Sequence, residues 1–180
     1  MVEIGTVNEI VGFANDNSRL NVEAEFSPAM PDQQQTRVFY GKFTHSVDRG
    51  RRVMVPFRWR TDLKETFLVL AWPLHQSECL KVLPPERAEK LFKNCGNEAL
   101  SDEEAEHFNR ALGCSSDSVE LDENGRLLLL EDLTAAVGIT NEVTLVGCRT
   151  YFEVWAPDRL EEALKETMAL AATTAKDRGI

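Results

Sequence analysis

One short signal occurs twice in this chain. Asp48 and Arg52 stand four apart across DRGRR, and Asp122 and Arg126 stand four apart across DENGR, so a shift of 74 positions lays one pair on the other. Each copy continues into an apolar stretch, RVMVP or RLLLL, and later into a strand pattern ending near a proline, CLKVLP or YFEVWAP. The distance to that later strand is nearly equal, 28 positions from Arg52 to Leu80 and 26 from Arg126 to Phe152. A doubled unit of this kind narrows the available folds. A lone hairpin is marginal in water, whereas two can bury their apolar faces against each other. The repeat therefore predicts one pseudo-twofold core built from both halves.

An Asp and an Arg four apart across a turn have a mechanical use. A turn glycine supplies a backbone conformation that other residues dislike. The carboxylate then accepts from turn amides or holds the guanidinium, and a held arginine loses less entropy on meeting an anion. The alternative is a purely structural clip. In the first copy Gly50 is the turn glycine, and Arg52 has Arg49 and Arg51 beside it, which favours a ligand role. In the second copy Asp122 and Arg126 lie among acids, which favours a clip.

The charge is distributed accordingly. The formal net charge is -10 and the pI is about 4.8, which argues against a generic nucleic-acid binder because phosphate repels a uniformly acidic surface. Yet Phe39 to Arg60 holds six positive residues (Lys42, Arg49, Arg51, Arg52, Arg58, Arg60) against the single acid Asp48. Asp117 to Thr134 reverses this, with six acids against Arg126.

Residues Met1 to Thr36, punctuated by NDNS, SPAMP and DQQQT, read as a weakly structured N-terminal extension, and Met30 is a second candidate start. VFYGKFTH reads as a strand with Phe39, Gly41 and Phe43 on one side; RVMVP, TFLVLAW, ECLKVLP, SVELD, RLLLL, TLVGC and YFEVW read as further strands. PPERAEKLFKN opens a helix on proline. Ser101 and Glu104 form a capping box for a helix that Gly113 is expected to stop. EDLTAAVG is a short helix ended by Gly138, and APDRLEEALKETMALAATTA a long terminal one. No apolar run is long enough to span a membrane, and no basic segment leads into an apolar stretch at the N-terminus. The four cysteines form no C-x-x-C pair and read as reduced thiols. His45, His75 and His107 are scattered, with no nucleophile–base pair, phosphate loop or metal spacing, so neither an enzyme, a metal site nor a cofactor is expected. The three tryptophans, Trp59, Trp72 and Trp155, read as core or interface anchors.

The stretches YGKFTHSVDRGRRVMVPFRWR, ECLKVLP, VELDENGRLLLLEDLTAAVGITNEVTLVG and FEVWAPDRLEEALKE together resemble the MraZ family of bacterial transcriptional regulators, from Phe39 to about Lys165. The resemblance implies an α+β fold of two tandem AbrB-like swapped-hairpin modules with flanking helices. Their bounds would be 37–113 for the first module with its helices, 114–165 for the second, and 166–180 for a helix end and tail. It also implies a ring-shaped homo-oligomer that binds double-stranded DNA at direct repeats upstream of the division and cell-wall genes. Such a protein would be cytoplasmic and nucleoid-associated, with no membrane partner. By position the family's DNA-contacting motif falls on Asp48 and Arg52 and on Asp122 and Arg126. With the residues around them, the expected DNA-binding set is Asp48, Arg49, Arg51, Arg52, Lys42 and Arg126, and Gly50, Asp122 and Gly125 are the structural turn residues. The sequence departs from the family pattern in places. Gly125 immediately precedes Arg126, but Arg51 fills the matching place in the first copy. Leu130 replaces the proline found at Pro56, and Thr134 stands where an arginine is expected.

A basic ribbon suits the major groove, where arginine can bond guanine O6 and N7 together. Repeated weak contacts around a ring would gain affinity by linkage. The competing reading is a ring-forming assembly protein of the same fold that has lost DNA recognition; an antitoxin-like regulator is a further one.

Overall fold

The computed structural model describes residues 37–60, 64–73, 78–95 and 101–179; the extension expected over 1–36 lies outside them. In chain order the elements are β1 (Lys42–Ser46), β2 (Arg52–Met54), β3 (Thr66–Trp72), β4 (Cys79–Leu83), α1 (Pro85–Cys95) and α2 (Asp102–Cys114). Then come β5 (Ser116–Glu120), β6 (Arg126–Leu128), α3 (Glu131–Ala136), β7 (Glu142–Gly147), β8 (Phe152–Trp155) and α4 (Pro157–Asp177). A single 3₁₀ turn, Phe57–Trp59, follows β2 where α3 follows β6. The architecture is α+β.

One six-stranded antiparallel sheet runs in the order β1-β7-β8-β4-β3-β5, and β2 pairs with β6 in a separate ribbon. When the two copies of the repeat are interchanged, the sheet order reads the same from its other end. The copies are interleaved: β1 pairs with β7 through Thr44 and Thr144, and β5 pairs with β3 through Ser118 and Leu68. In the ribbon Val53 faces Leu127, the same position of the repeat in each copy, and between β4 and β8 Lys81 faces Glu153. A pseudo-twofold axis therefore passes through both pairs, and neither copy has a sheet of its own.

Packing explains which patterns were visible in the sequence. The ribbon and α3 cover one face of the sheet, burying Val53, Val55, Leu127, Leu129 and Leu133 against Phe67, Leu80, Leu145 and Phe152. An aromatic group (Phe39, Phe43, Trp59, Phe67 and Phe152) lies in this layer with ring centroids 5.2–6.0 Å apart, within the range of favourable edge and offset contacts. On the opposite face α1 and α2 cover Leu68, Leu70 and Leu83, and α4 covers Cys79 and Trp155. β3 is buried on both faces, so TFLVLAW is a continuous apolar run and does not alternate. At the sheet edge β1 has one exposed face and alternates.

Two local expectations need correction. The first strand begins only at Lys42, because Gly41 has a φ of +105° that breaks extended pairing; Phe39 instead makes an isolated bridge to Arg149. Gly113 does not stop α2: the helix runs one residue further to Cys114 and is closed by Ser115, whose N–H donates to the Leu112 carbonyl at 3.1 Å. Its start is as expected, since Ser101 and Glu104 cap each other reciprocally.

Candidate nucleic-acid interface

The two Asp-x-x-x-Arg turns close in the same way. In the first, the Asp48 N–H donates to the Arg52 carbonyl at 2.9 Å, the Arg51 N–H to the Asp48 carbonyl at 2.9 Å, and the Arg52 N–H to Asp48 Oδ1 at 2.8 Å. In the second, the Asp122 N–H donates to the Arg126 carbonyl at 2.9 Å, the Gly125 N–H to the Asp122 carbonyl at 2.8 Å, and the Arg126 N–H to Asp122 Oδ1 at 2.9 Å. The motif carboxylate is thus a cap for turn amides, which otherwise have no strand partner. The Arg126 amide, followed by its guanidinium, holds the Asp122 carboxyl below the usual value.

The four motif side chains also meet across the pseudo-twofold axis. Arg126 donates from Nε to Asp122 Oδ2 at 2.8 Å and from Nη1 to Asp48 Oδ2 at 3.0 Å. The reciprocal approach is looser, with Arg52 Nη1 3.8 Å from Asp122 Oδ2. The Arg126 side chain is 30% exposed and doubly bonded, while that of Arg52 is 43% exposed and held by one long ion pair. Arg52 therefore keeps a reach toward solvent that Arg126 has largely given up.

The displaced glycine has a geometric consequence. The left-handed position in the second turn is Gly125, with φ of +77°; its counterpart is Arg51, with φ of +58°. Gly50, expected to supply that conformation, lies outside the left-handed region. A side chain there costs about 1–2 kcal/mol, so something must hold Arg51 in place. Its Nε donates to the Leu129 carbonyl at 3.3 Å and its Nη2 to Thr134 Oγ1.

Arg60 shows what this arrangement replaces. Arg60 Nε donates to the Val55 carbonyl at 2.7 Å, and its guanidinium lies so closely over Gly125 that a Cβ there would come within 2.3 Å of it. Val55 and Leu129 occupy the same position of the repeat, as do Arg60 and Thr134. The first copy places its guanidinium at position 60 over a glycine; the second has Thr134, only 2% exposed, and receives its guanidinium from Arg51. Two of the departures noted in the sequence, Arg51 and Thr134, are the two halves of one exchange. Arg51, expected among the DNA contacts, has its guanidinium turned into the module.

The remaining cations divide clearly. Arg58 stacks on Phe43, with Cζ 4.7 Å from the ring centroid. Arg49 and Lys42 are exposed, with no ion-pair partner among the described residues. Arg49 stands at the tip of the first turn. Lys42 is at the far end of β1, about 13 Å of strand from Ser46, so it does not join the Arg49–Arg52 group. At the position of the second turn matching Arg49 stands the exposed acid Glu123. A hollow of about 310 Å³ beside Arg52 and Arg126 is lined by Asp117, Glu120 and Asp122. One tip is thus cationic and the other anionic. Arg60, Thr134 and Glu123 were missed as partners in this arrangement, although the 74-residue offset aligns each with its counterpart.

The profile of the family described as "MraZ protein, putative antitoxin-like" matches residues 115–180. The chain is 30% identical over 139 residues to the transcriptional regulator MraZ of Symbiobacterium thermophilum, covering 77% of this chain and 99% of that one. It is 30% identical over 121 residues to the protein of the same name from Thermomicrobium roseum, covering 67% and 83%. To that of Leuconostoc citreum it is 28% identical over 130 residues, covering 72% and 89%. Among the described residues no helix is long and apolar enough to cross a membrane.

Proposed function

The chain belongs to the MraZ family, and from that premise we propose that it is a DNA-binding transcriptional regulator. In this reading the interleaved copies are tandem swapped-hairpin modules. Subunits associate into a ring, and the ring presents its first turns to direct repeats in double-stranded DNA upstream of division and cell-wall genes. The names of the relatives support regulation of transcription. The observation that carries the choice of surface is the first turn's tip, where Arg49 is exposed and Arg52 is held by only one long ion pair.

Within this proposal Arg49 and Arg52 meet phosphate or base edges, and Asp48 holds the turn that presents them. Lys42 meets backbone phosphate farther along, and Arg126 is a positioning residue. Arg51 acts indirectly by keeping the first turn in shape. One subunit with so few free cations binds weakly, and repetition around a ring supplies affinity through linkage. Charges farther off than about 10 Å are screened at moderate salt, so the acidic remainder is tolerated.

A second reading, an assembly protein without DNA recognition, draws on Glu123 at the second tip and on the bonds that tie Arg126 to both carboxylates. A gel shift against the DNA preceding the gene separates the two. Regulation predicts a salt-sensitive complex weakened by Arg52→Ala, whereas the assembly reading predicts none.

A further inference from the structure

The face of the sheet away from the motif turns carries a pocket of about 220 Å³ between β3, β4 and α1. Leu70 and Leu83 contribute apolar surface and Trp72 and Tyr151 aromatic surface, while Lys81, Arg87 and Lys90 bring three positive charges to its lining. No acidic residue is among the described lining residues. Lys81 Nζ lies 4.3 Å from the Trp72 ring centroid and 5.2 Å from that of Tyr151. Glu153, its opposite number in the β4–β8 ladder, accepts instead from Trp155 Nε1 at 2.9 Å. Arg87 Nε is buried without a hydrogen-bond partner, an uncommon state for a buried donor. Glu89, on the same helix, is paired with Lys93 at 2.7 Å.

The pseudo-twofold relation provides a comparison within the chain. PPERAEKL in α1 and APDRLEEA at the start of α4 occupy equivalent places, one following β4 and the other β8. The matching hollow on the α4 side is lined by Arg159, Glu162, Ala163 and Glu166, together with Glu78 and Trp155. Where the first pocket has Lys81, Lys90 and Asn94, the second copy has Glu153, Glu162 and Glu166. The same scaffold has been given opposite charge on its two sides, so the cluster of cations is not a requirement of the fold.

We propose that the α1-side pocket binds a compact organic anion, a single aromatic ring bearing one carboxylate or phosphate group. The ring fits against Trp72, Tyr151 and the leucines, and the anionic group meets Lys81 and Arg87, with Lys90 at the mouth. The volume corresponds to about seven waters at roughly 30 Å³ each, below the 300–1,000 Å³ typical of drug-sized sites, which limits the ligand to one ring. A guanidinium and an ammonium lining one pocket both gain from an anion placed between them, and Glu153, the cross-strand neighbour of Lys81, is engaged by the Trp155 indole. Burial pushes the Tyr151 phenol up to about 12, so its hydroxyl stays neutral and adds no competing charge. The α4-side hollow, with its glutamates, excludes the same ligand and fixes the stoichiometry at one per chain. This inference does not depend on DNA binding.

Isothermal titration of the full chain with benzoate, phenyl phosphate and the neutral isostere benzamide tests it. At least one anion saturates with one site per chain, benzamide does not, and Lys81→Met and Arg87→Gln each weaken binding tenfold or more. Lys90→Gln, on the exposed side of α1 where folding is not at risk, weakens it several-fold. The proposal is overturned if neither anion binds at millimolar concentration, if benzamide binds as well as benzoate, or if Lys90→Gln and Arg87→Gln both bind as the parent does.

Discussion

Arg126 donates to Asp48 across 78 residues of sequence, at 3.0 Å, and so ties the second copy of the motif to the carboxylate of the first. The bond can form only because the copies interleave around a shared axis. Both partners are about one-third exposed, so the coupling should be modest. A double-mutant cycle with Asp48→Ala and Arg126→Ala, followed by urea unfolding, should give a coupling of about 0.5–1 kcal/mol. The Asp48 single variant should lose more than the coupling alone, because its Oδ1 also caps the Arg52 amide.

The Arg51–Thr134 exchange predicts sign epistasis. Arg51→Gly relaxes a left-handed residue but removes the donor to the Leu129 carbonyl, for a net loss of about 1 kcal/mol. Thr134→Arg alone places a second guanidinium in a filled, buried position and should cost about 1–3 kcal/mol. Together the two changes recreate the Gly125–Arg60 arrangement, and the double variant should recover most of the loss. Equilibrium unfolding of the four proteins decides this; strictly additive losses would contradict it.

Much of this was legible in the sequence. The doubled motif announced a core made by both halves, the capping box gave the start of α2, and the apolar run TFLVLAW marked a strand. The exchange was visible only as two separate oddities, Arg51 and Thr134, because their partnership depends on a pairing between copies that no local pattern encodes. For the same reason more of the basic ribbon looked available than is: Arg51 and Arg60 are bonded to the Leu129 and Val55 carbonyls, while the exposed Arg58 rests on the Phe43 ring. The 3₁₀ turn over Phe57–Trp59 passed unnoticed, since three residues carry too little periodicity to register. Gly113 misled because a glycine near a helix end need not adopt a positive φ.

The tips of the two turns differ in sign, and reversing one should change affinity. Glu123→Arg gives the second turn the charge that Arg49 gives the first. It should tighten binding to upstream DNA and steepen the dependence of log K on log salt by up to roughly 0.9, the increment for one phosphate. Fluorescence anisotropy at several salt concentrations reads both quantities. Unchanged affinity and slope in the variant would show that the second turn faces away from the duplex.

Acid should release the second turn late. The Asp122 carboxyl is held below its ordinary value of 3.8, so its stabilising contribution is fully present above that value. The contribution is lost as pH falls from there through the lower folded-state value. Chemical unfolding of the parent and Asp122→Asn between about pH 6 and pH 2 should give a gap that is constant at the upper end and closes below 3.8. A gap unchanged across the range would contradict the depressed value.

Whether a cationic first turn, repeated by self-association, meets a polyanion is read best from the salt dependence of binding. The duplex is the DNA preceding the gene, where the proposal places the repeats, and the proteins are the parent and Arg49→Ala/Arg52→Ala. The parent should bind with a steep slope. The variant should bind more weakly, with a slope shallower by roughly 0.9 for each phosphate it no longer neutralises. Equal affinity and equal slope in the two proteins, or a parent that does not bind the duplex at all, would rule out the first turn as the DNA-binding surface.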